Sequence, residues 1–197
     1  MLHHVPPSPI TIDKLMDYNT DLTLEDIYKL KCSEPSDINE HLPVLKKYGE
    51  ECNTIMEMGV RTLVSTWALL ASKPDKLTSI DLNYSQDVEL AKQLAASEGI
   101  EFEFIVGDTL TLTPRSVDFL FIDTLHTYEQ LKEELKLHGN MAQKYIAFHD
   151  TQMFRFVDQT GVGRGLWPAI EEFLAANPHW KLELDLQNNN GLAIIKR

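Results

Sequence analysis

The spacing of apolar positions along the chain changes at about residue 53. Before that point it follows a helical period; after it, short continuous apolar runs alternate with helical segments. In the first part, "TLEDIYKL" opens with Thr23 and has Asp26 three residues later, which predicts a capped helix. "DINEHLPVLKKYGEEC" offers Asp37 as a cap and Glu40 at the third helical position. Pro43 lies too deep for a clean first turn, so that helix is expected to start later or to bend. Further on, "TIMEMG" reads as a strand ending at glycine, "STWALLASK" as an apolar helix and "KLTSIDL" as a strand. "SQDVELAKQLAASEG" is a helix with Val88, Leu90, Ala91 and Leu94 on one face and a glycine at its end. "EFEFIVGD" and "SVDFLFID" are strands, and "TYEQLKEELKLHGNM" is a helix with Leu131, Leu135 and Met141 inward. "KYIAFHD" is a strand and "LWPAIEEFLAANP" a helix. "WKLELDL" and "GLAIIKR" close the chain as a hairpin, joined through "LQNNNG", whose asparagines and glycine suit positive φ.

Strands alternating with helices predict βαβ units and an α/β fold with a seven-stranded, mostly parallel, doubly wound sheet. In such sheets ligands bind beyond the carboxyl ends of the strands. The 197 residues suit one domain and show no internal repeat, low-complexity tract or dividing linker. Hydrophobic content of 43% and charged content of 24% are those of a globular chain. A net charge of −12 and the absence of a basic stripe argue against nucleic acid or an anionic membrane as partner. No apolar run approaches the roughly 20 residues of a membrane span. "MLHHVPPSPI" lacks a signal peptide's basic and apolar regions, so the expected setting is the cytoplasm. Cys32 and Cys52 lack metal-site spacing and read as reduced thiols, with a disulfide the lesser alternative.

Polar residues gather where the strands end. Glu57 and Gly59 follow the first strand, and Ser65 opens the next helix; glycine lets a ligand approach the backbone, and helix-start N–H groups suit a carboxylate. Asp81 ends the second strand, where an acid can accept hydrogen bonds from ribose hydroxyls. Asp108 ends the third, Asp123 the fourth, and His149 with Asp150 the fifth; His126 lies three residues beyond Asp123. A turn or capping role explains any one of these. Acids at successive strand ends, with D-x-x-H and H-D on adjacent strands, point to a convergent site.

The order E-x-G, Asp81, "GDT", "FIDTLHTYE" and "AFHDT" resembles the class I S-adenosylmethionine-dependent methyltransferases. It is most similar to the small metal-dependent O-methyltransferase-like family with D-x-x-H-x-Y and H-D-T motifs, and "GVGRGLWPAIEEFLAANPHW" followed by "NNNGLAIIKR" fits the same pattern. The likeness covers residues 41–197; residues 1–40 form an N-terminal helical extension outside it. It implies the Rossmann-like methyltransferase sheet order 3-2-1-4-5-7-6. It also implies a cofactor site in which Glu57, Gly59, Val60, Arg61 and Ser65 hold the methionine part of S-adenosylmethionine, Asp81 the ribose, and Asp108 with Thr109 the adenine. Asp123, His149 and Asp150 would hold a divalent cation, Mg²⁺ or Mn²⁺, with an imidazole shifting preference toward the softer ion. His126, beside Asp123, would act as general base on a metal-bound hydroxyl. One departure stands out: Leu63 occupies the place of the family's second glycine, and its side chain either narrows the cofactor pocket or points into the core.

The implied activity is O-methylation of a small hydroxylated acceptor, sugar-like in character; assembly with further copies of the chain is left open. Leu63 keeps alive a non-catalytic module of the same fold. A nicotinamide-dependent oxidoreductase would want G-x-G-x-x-G, which "GVRTLV" lacks. "VDQTGVGRGLW" is expected to be a mobile loop over the acceptor, with Arg164 meeting an anionic group. Trp67 and Trp167 are expected to pack on the sheet, and His41 and His138 to lie at the surface.

Overall fold

The computed structural model describes residues 22–197; the first 21 residues of the expected N-terminal extension lie outside them. Helices α1 (Leu24–Ser33) and α2 (Leu42–Gly49) precede the first strand. The core follows as β1 (Thr54–Met58), α3 (Val64–Ala71), β2 (Lys76–Asp81), α4 (Val88–Ser97), β3 (Glu101–Val106), β4 (Val117–Ile122), α5 (Tyr128–His138), β5 (Ala142–His149), α6 (Trp167–Ala176), β6 (Lys181–Leu186) and β7 (Leu192–Lys196). The sheet order is β3-β2-β1-β4-β5-β7-β6. β1 to β5 pair in parallel, while β7 runs antiparallel between β5 and β6. This is the expected Rossmann-like methyltransferase arrangement.

Residue alternation explains the two layers. Ile55, Phe119, Phe121, Tyr145 and Ile194 face a core shared with α1 to α4. Their neighbours Met56, Leu120, Ile122, Ile146 and Ile195 face α5 and α6 on the other side. A strand buried on both faces is apolar at most positions, which is why β4 and β5 read as nearly unbroken runs. Trp67 and Trp167 are both buried, as expected. Leu24 and Ile27 of α1 are buried in the same core as Trp67 and Leu70, so residues 24–33 pack as part of this layer.

Thr23 caps α1 through a complete capping box with Asp26. The Pro43 difficulty resolves as a late start: a single 3₁₀ turn over residues 39–41 precedes α2, which leaves Pro43 in the first turn where its missing N–H costs nothing. The "NNNG" turn takes the positive φ angles expected of it. Cys32 and Cys52 are both free thiols. Among the described residues no helix is long and apolar enough to cross a membrane.

The parallel register brings the strand ends level. Met58 pairs with Ile80 on one side and Ile122 on the other, and Ile122 with Phe148. The residues one step further, Gly59, Asp81, Asp123 and His149, therefore share one rim. Backbone bonds carry the ladder past the strands: Gly59 N–H donates to Ile80 O (2.9 Å) and Asp123 N–H to Met58 O (2.8 Å).

Candidate functional site

The β1–α3 turn is held by one side chain. Asp81 Oδ2 accepts the N–H groups of Val60 and Arg61, each at 2.9 Å, and its Oδ1 accepts that of Asn83 at 2.9 Å. Burial alone would raise the Asp81 pKa, but these backbone donors outweigh it and hold the carboxyl below its ordinary value. Gly59 has φ +84°, and a Cβ there would drive into the Asp123 carbonyl. Arg61 and Leu63 also take left-handed angles, φ 52° and 61°, a strain of roughly 1–3 kcal/mol each. Leu63 is fully buried in the core beneath the turn, which settles its direction: it points away from the cleft. Arg61 reaches Asp37 at 2.8 Å and so ties the segment between α1 and α2 to the rim.

Glu57 and Ser65 do not line the main cleft. The Glu57 carboxylate is fully buried and accepts from three hydroxyls: Ser65 at 2.5 Å, Thr66 at 2.7 Å and Ser79 at 2.5 Å. It braces β1, β2 and the start of α3 from behind. Burial pushes its pKa up to about 7 despite the three donors. The fold thus holds the Glu57 proton more tightly than the unfolded chain does. The resulting stability is fully present below pH about 4.5 and lost as pH rises through about 7, by on the order of 3 kcal/mol in all. Glu57→Gln removes that proton equilibrium. Urea unfolding should show the variant gaining about this much on wild type between pH 5 and pH 8. A gap that stays constant with pH would contradict the assignment.

A cleft of about 410 Å³ opens over the ends of β1, β2 and β4. Gly59, Arg61, Asp81, Asp108 and Thr109 line it, and the exposed Leu82 and Leu125 form apolar lips. Asp108 Oδ1 accepts the Leu110 N–H at 2.9 Å. The Thr109 hydroxyl turns inward to Glu134, at 2.6 Å. Glu134 also accepts from Gln130 (2.9 Å) and Thr124 (2.8 Å), and burial raises its pKa. This buried knot under the cleft floor was not visible in the sequence. His138 belongs to the same layer: far from being at the surface, it is buried, with Nε2 at 2.8 Å from the Thr109 carbonyl.

Next to this cleft lies the acid and imidazole cluster, where Asp123, His126 and Asp150 bring one ligand atom each within 4.8 Å of one another. His126 Nε2 is 3.2 Å from Asp123 Oδ1 and 2.9 Å from Asp150 Oδ2. His149 sits behind them, with Nδ1 3.6 Å from Asp123 and 3.5 Å from Asp150. The three converging groups thus include His126, while His149, expected among the cation's ligands, turns Nδ1 toward the same two carboxylates from behind. His149 ends β5 with Nδ1 toward the acids and Nε2 buried without a hydrogen-bond partner, while the β4–α5 turn sets His126 between the two carboxylates. Burial would lower the His126 pKa, but Asp123 and Asp150 outweigh it and raise it to about 9. Burial would raise that of Asp123, yet the two imidazoles hold it well below the carboxylate range. Asp150 takes φ 58°, an angle Asp tolerates better than most residues, and its buried Oδ1 accepts no hydrogen bond. His41 is fully buried, not at the surface, and packs edge-on against His149 at 5.4 Å.

The segment after β5 is tightly bonded in this structure. Asp158 Oδ1 accepts from the Thr160 N–H (3.0 Å), the Thr160 hydroxyl (2.7 Å) and the Gly163 N–H (3.1 Å). Gly165 and Leu166 return to Phe156 and Phe154. Arg164 is turned outward: its guanidinium lies 3.8 Å over the Tyr128 ring and 3.4 Å from Glu172, so it does not reach the cluster. The residue of this loop that does is Gln159, which the sequence did not single out; its side chain meets His126.

No family model matches the sequence, and no curated protein does. Solved structures do. A Bacillus cereus O-methyltransferase in complex with S-adenosylhomocysteine is 16% identical over 93% of this chain and 95% of its own, with a TM-score of 0.58. The N-methyltransferase NodS from Bradyrhizobium japonicum, also with S-adenosylhomocysteine, is 14% identical over 89% and 99%, with a TM-score of 0.60. The O-methyltransferase TomG from Streptomyces achromogenes, with S-adenosylmethionine, is 15% identical over 88% and 96%, with a TM-score of 0.55. At this identity the likeness is one of architecture: the chain has the Rossmann-like methyltransferase fold.

Proposed function

We propose that the chain is an S-adenosylmethionine-dependent methyltransferase that transfers to a hydroxyl of a small, sugar-like acceptor with the help of a divalent cation. The observation that carries this reading is contiguity. The 410 Å³ cleft and a neighbouring pocket of about 160 Å³ share Gly59, Arg61, Asp123 and Thr124, so a ligand in the first lies against the acids of the second. The cleft is of a size that suits a cofactor, and Gly59 lines it at a point where the backbones following β1 and β4 lie too close to admit any Cβ. Asp81 lines it with a carboxylate whose lone pairs can accept from ribose. The cluster suits a cation: two carboxylates and an imidazole converge, and the buried Asp150 Oδ1 accepts no hydrogen bond. Such a donor set favours Mn²⁺ over Mg²⁺.

When bound, the cofactor supplies an electrophilic methyl on sulfur and the cation a Lewis acid for the acceptor oxygen. The chain's own groups do the positioning. Asp123, His126 and Asp150 would hold the cation, which revises the role of His126: an Nε2 lone pair given to a metal cannot take a proton. Structural neighbours crystallised with S-adenosylmethionine or S-adenosylhomocysteine support the cofactor class. Leu63, the feature that favoured a non-catalytic module, lies in the core and leaves the cleft open.

Calorimetry with S-adenosylhomocysteine, with and without Mn²⁺ or Mg²⁺, tests both parts. Asp81→Ala should weaken S-adenosylhomocysteine binding by on the order of 2 kcal/mol, and Asp81→Asn by less, since it keeps an acceptor. Undiminished binding by folded Asp81→Ala protein would remove the ribose assignment.

A further inference from the structure

We propose that Gln159 is a positioning residue that fixes the tautomer of His126 and so presents Nε2 as the nitrogen available between Asp123 and Asp150. The proposal rests on the cation reading above and assigns a role to a loop residue on the far side of the ring.

The geometry identifies the atoms. Gln159 Oε1 lies 3.2 Å from the His126 backbone nitrogen and 3.0 Å from His126 Nδ1. A backbone N–H can only donate, so the amide group must present its oxygen here and not its NH₂. That oxygen carries no proton, and the ring nitrogen facing it must therefore supply one. Nδ1 is committed as a donor. A second bond runs the other way, from the Gln159 N–H to the His126 carbonyl at 3.2 Å, so the two residues are clasped by backbone and side chain together. Phe154 stacks on the imidazole at 4.8 Å with planes 9° apart, which fixes the ring's tilt. Asp158, nine-tenths buried and bonded to Thr160 and Gly163, holds the loop in the form that delivers Gln159.

The consequence is chemical. With Nδ1 bonded to Gln159, only Nε2 faces the two carboxylates, at 3.2 and 2.9 Å. A ring whose Nδ1–H is held by Gln159 presents Nε2, and only Nε2, to a cation between the two carboxylates, without turning or breaking its other bond. Without Gln159, the neutral ring is free to keep its proton on Nε2 instead, pointing at Asp123 and Asp150. That tautomer closes the gap a cation needs. Partners of this kind, on the far nitrogen of a ligating imidazole, typically change metal affinity by about 10–100-fold.

The test is Mn²⁺ affinity by calorimetry on the full chain, for wild type, Gln159→Ala, Gln159→Glu and Val162→Glu, with urea unfolding of each as a check on the fold. Gln159→Ala should bind Mn²⁺ about 10–100-fold more weakly. Gln159→Glu keeps an oxygen acceptor for Nδ1–H and should bind as tightly as wild type or more so. Val162→Glu places the same charge on the same loop at a side chain that is 92% exposed, and should change little. Equal affinities for wild type and Gln159→Ala would overturn the proposal. So would equal weakening in Gln159→Ala and Gln159→Glu, or equal tightening in the two glutamate variants. Absence of Mn²⁺ binding by wild type is a different result: it removes the cation reading itself, and this inference with it.

Discussion

Gly59→Ala is expected to destabilise the protein by on the order of 4 kcal/mol and, at the proposed cofactor site, to abolish S-adenosylhomocysteine binding. Two costs combine. The left-handed backbone, φ +84°, costs a residue with a Cβ about 1 kcal/mol. The larger share comes from what the Cβ meets, the backbone carbonyl of Asp123. A flexible side chain could swing aside, but this carbonyl belongs to a residue whose own N–H is bonded to Met58 O at 2.8 Å. Relief requires β1 and β4 to separate, which costs roughly 3 kcal/mol in a packed sheet and moves Asp123 out of its cluster. Gly99 provides the control. It has nearly the same angle, φ +79°, and nothing within 4 Å of its would-be Cβ. Gly99→Ala should therefore lose only about 1 kcal/mol and bind S-adenosylhomocysteine normally. Urea midpoints and calorimetry on the two variants separate backbone strain from close approach. Similar losses in both would refute the close-approach argument.

The contrast between these glycines shows what the sequence could and could not reveal. The fold was legible because its signals are local. An apolar run such as "FLFI" needs no partner to identify it as a buried strand, and the alternation of such runs with helices specifies the parallel sheet. The rim acids Asp81, Asp123 and Asp150 were legible for the same reason, since each ends a strand or directly follows one. What escaped depends on residues far apart in the chain. Glu134 lies on a helix rich in lysine and glutamate, yet it is buried by Thr109 and Thr124. His41 and His138 stand among polar neighbours and read as surface residues, but each is buried against another element, His149 in one case and the Thr109 carbonyl in the other. Leu63 looked like a defect in a glycine turn. Its left-handed angle shows the turn kept the backbone a glycine would take and used the side chain to fill the core. The "LQNNNG" turn carried no functional signal, yet Asn189 accepts the Glu40 N–H at 2.9 Å and donates to Ser36 O at 2.7 Å. Asn190 O accepts the Gln152 N–H at 2.9 Å. That hairpin therefore braces the segment carrying Asp37 and His41 against the residues just after Asp150. Periodicity reports which face of an element is buried, not which distant residue it meets.

Asp123→Ala should separate function from stability most sharply. Asp123, like Asp150, faces both imidazoles, His126 at 3.2 Å and His149 at 3.6 Å, but unlike Asp150 it lines both the cleft and the smaller pocket. Removing it leaves one carboxylate and one imidazole converging on the gap, too few donors for firm hold on a hard divalent ion. Mn²⁺ affinity should fall by more than about 10²-fold, beyond the effect of losing an outer partner. Under the proposed function, methyl transfer should fall by roughly 10³ or more, since the cation that Asp123 would help hold would supply a Lewis acid worth several kcal/mol. The fold should tolerate the change. His126 keeps Asp150 at 2.9 Å, so no buried charge is stranded, and the repulsion between the two carboxylates is relieved. Cofactor binding should also survive, because it is the Asp123 backbone, not its side chain, that packs against Gly59. Electron paramagnetic resonance reports free and bound Mn²⁺, while calorimetry and urea unfolding follow cofactor and fold. An Asp123→Ala protein that still bound Mn²⁺ like wild type would place the cation elsewhere, and the acids at the ends of β4 and β5 would then have to act on the acceptor directly.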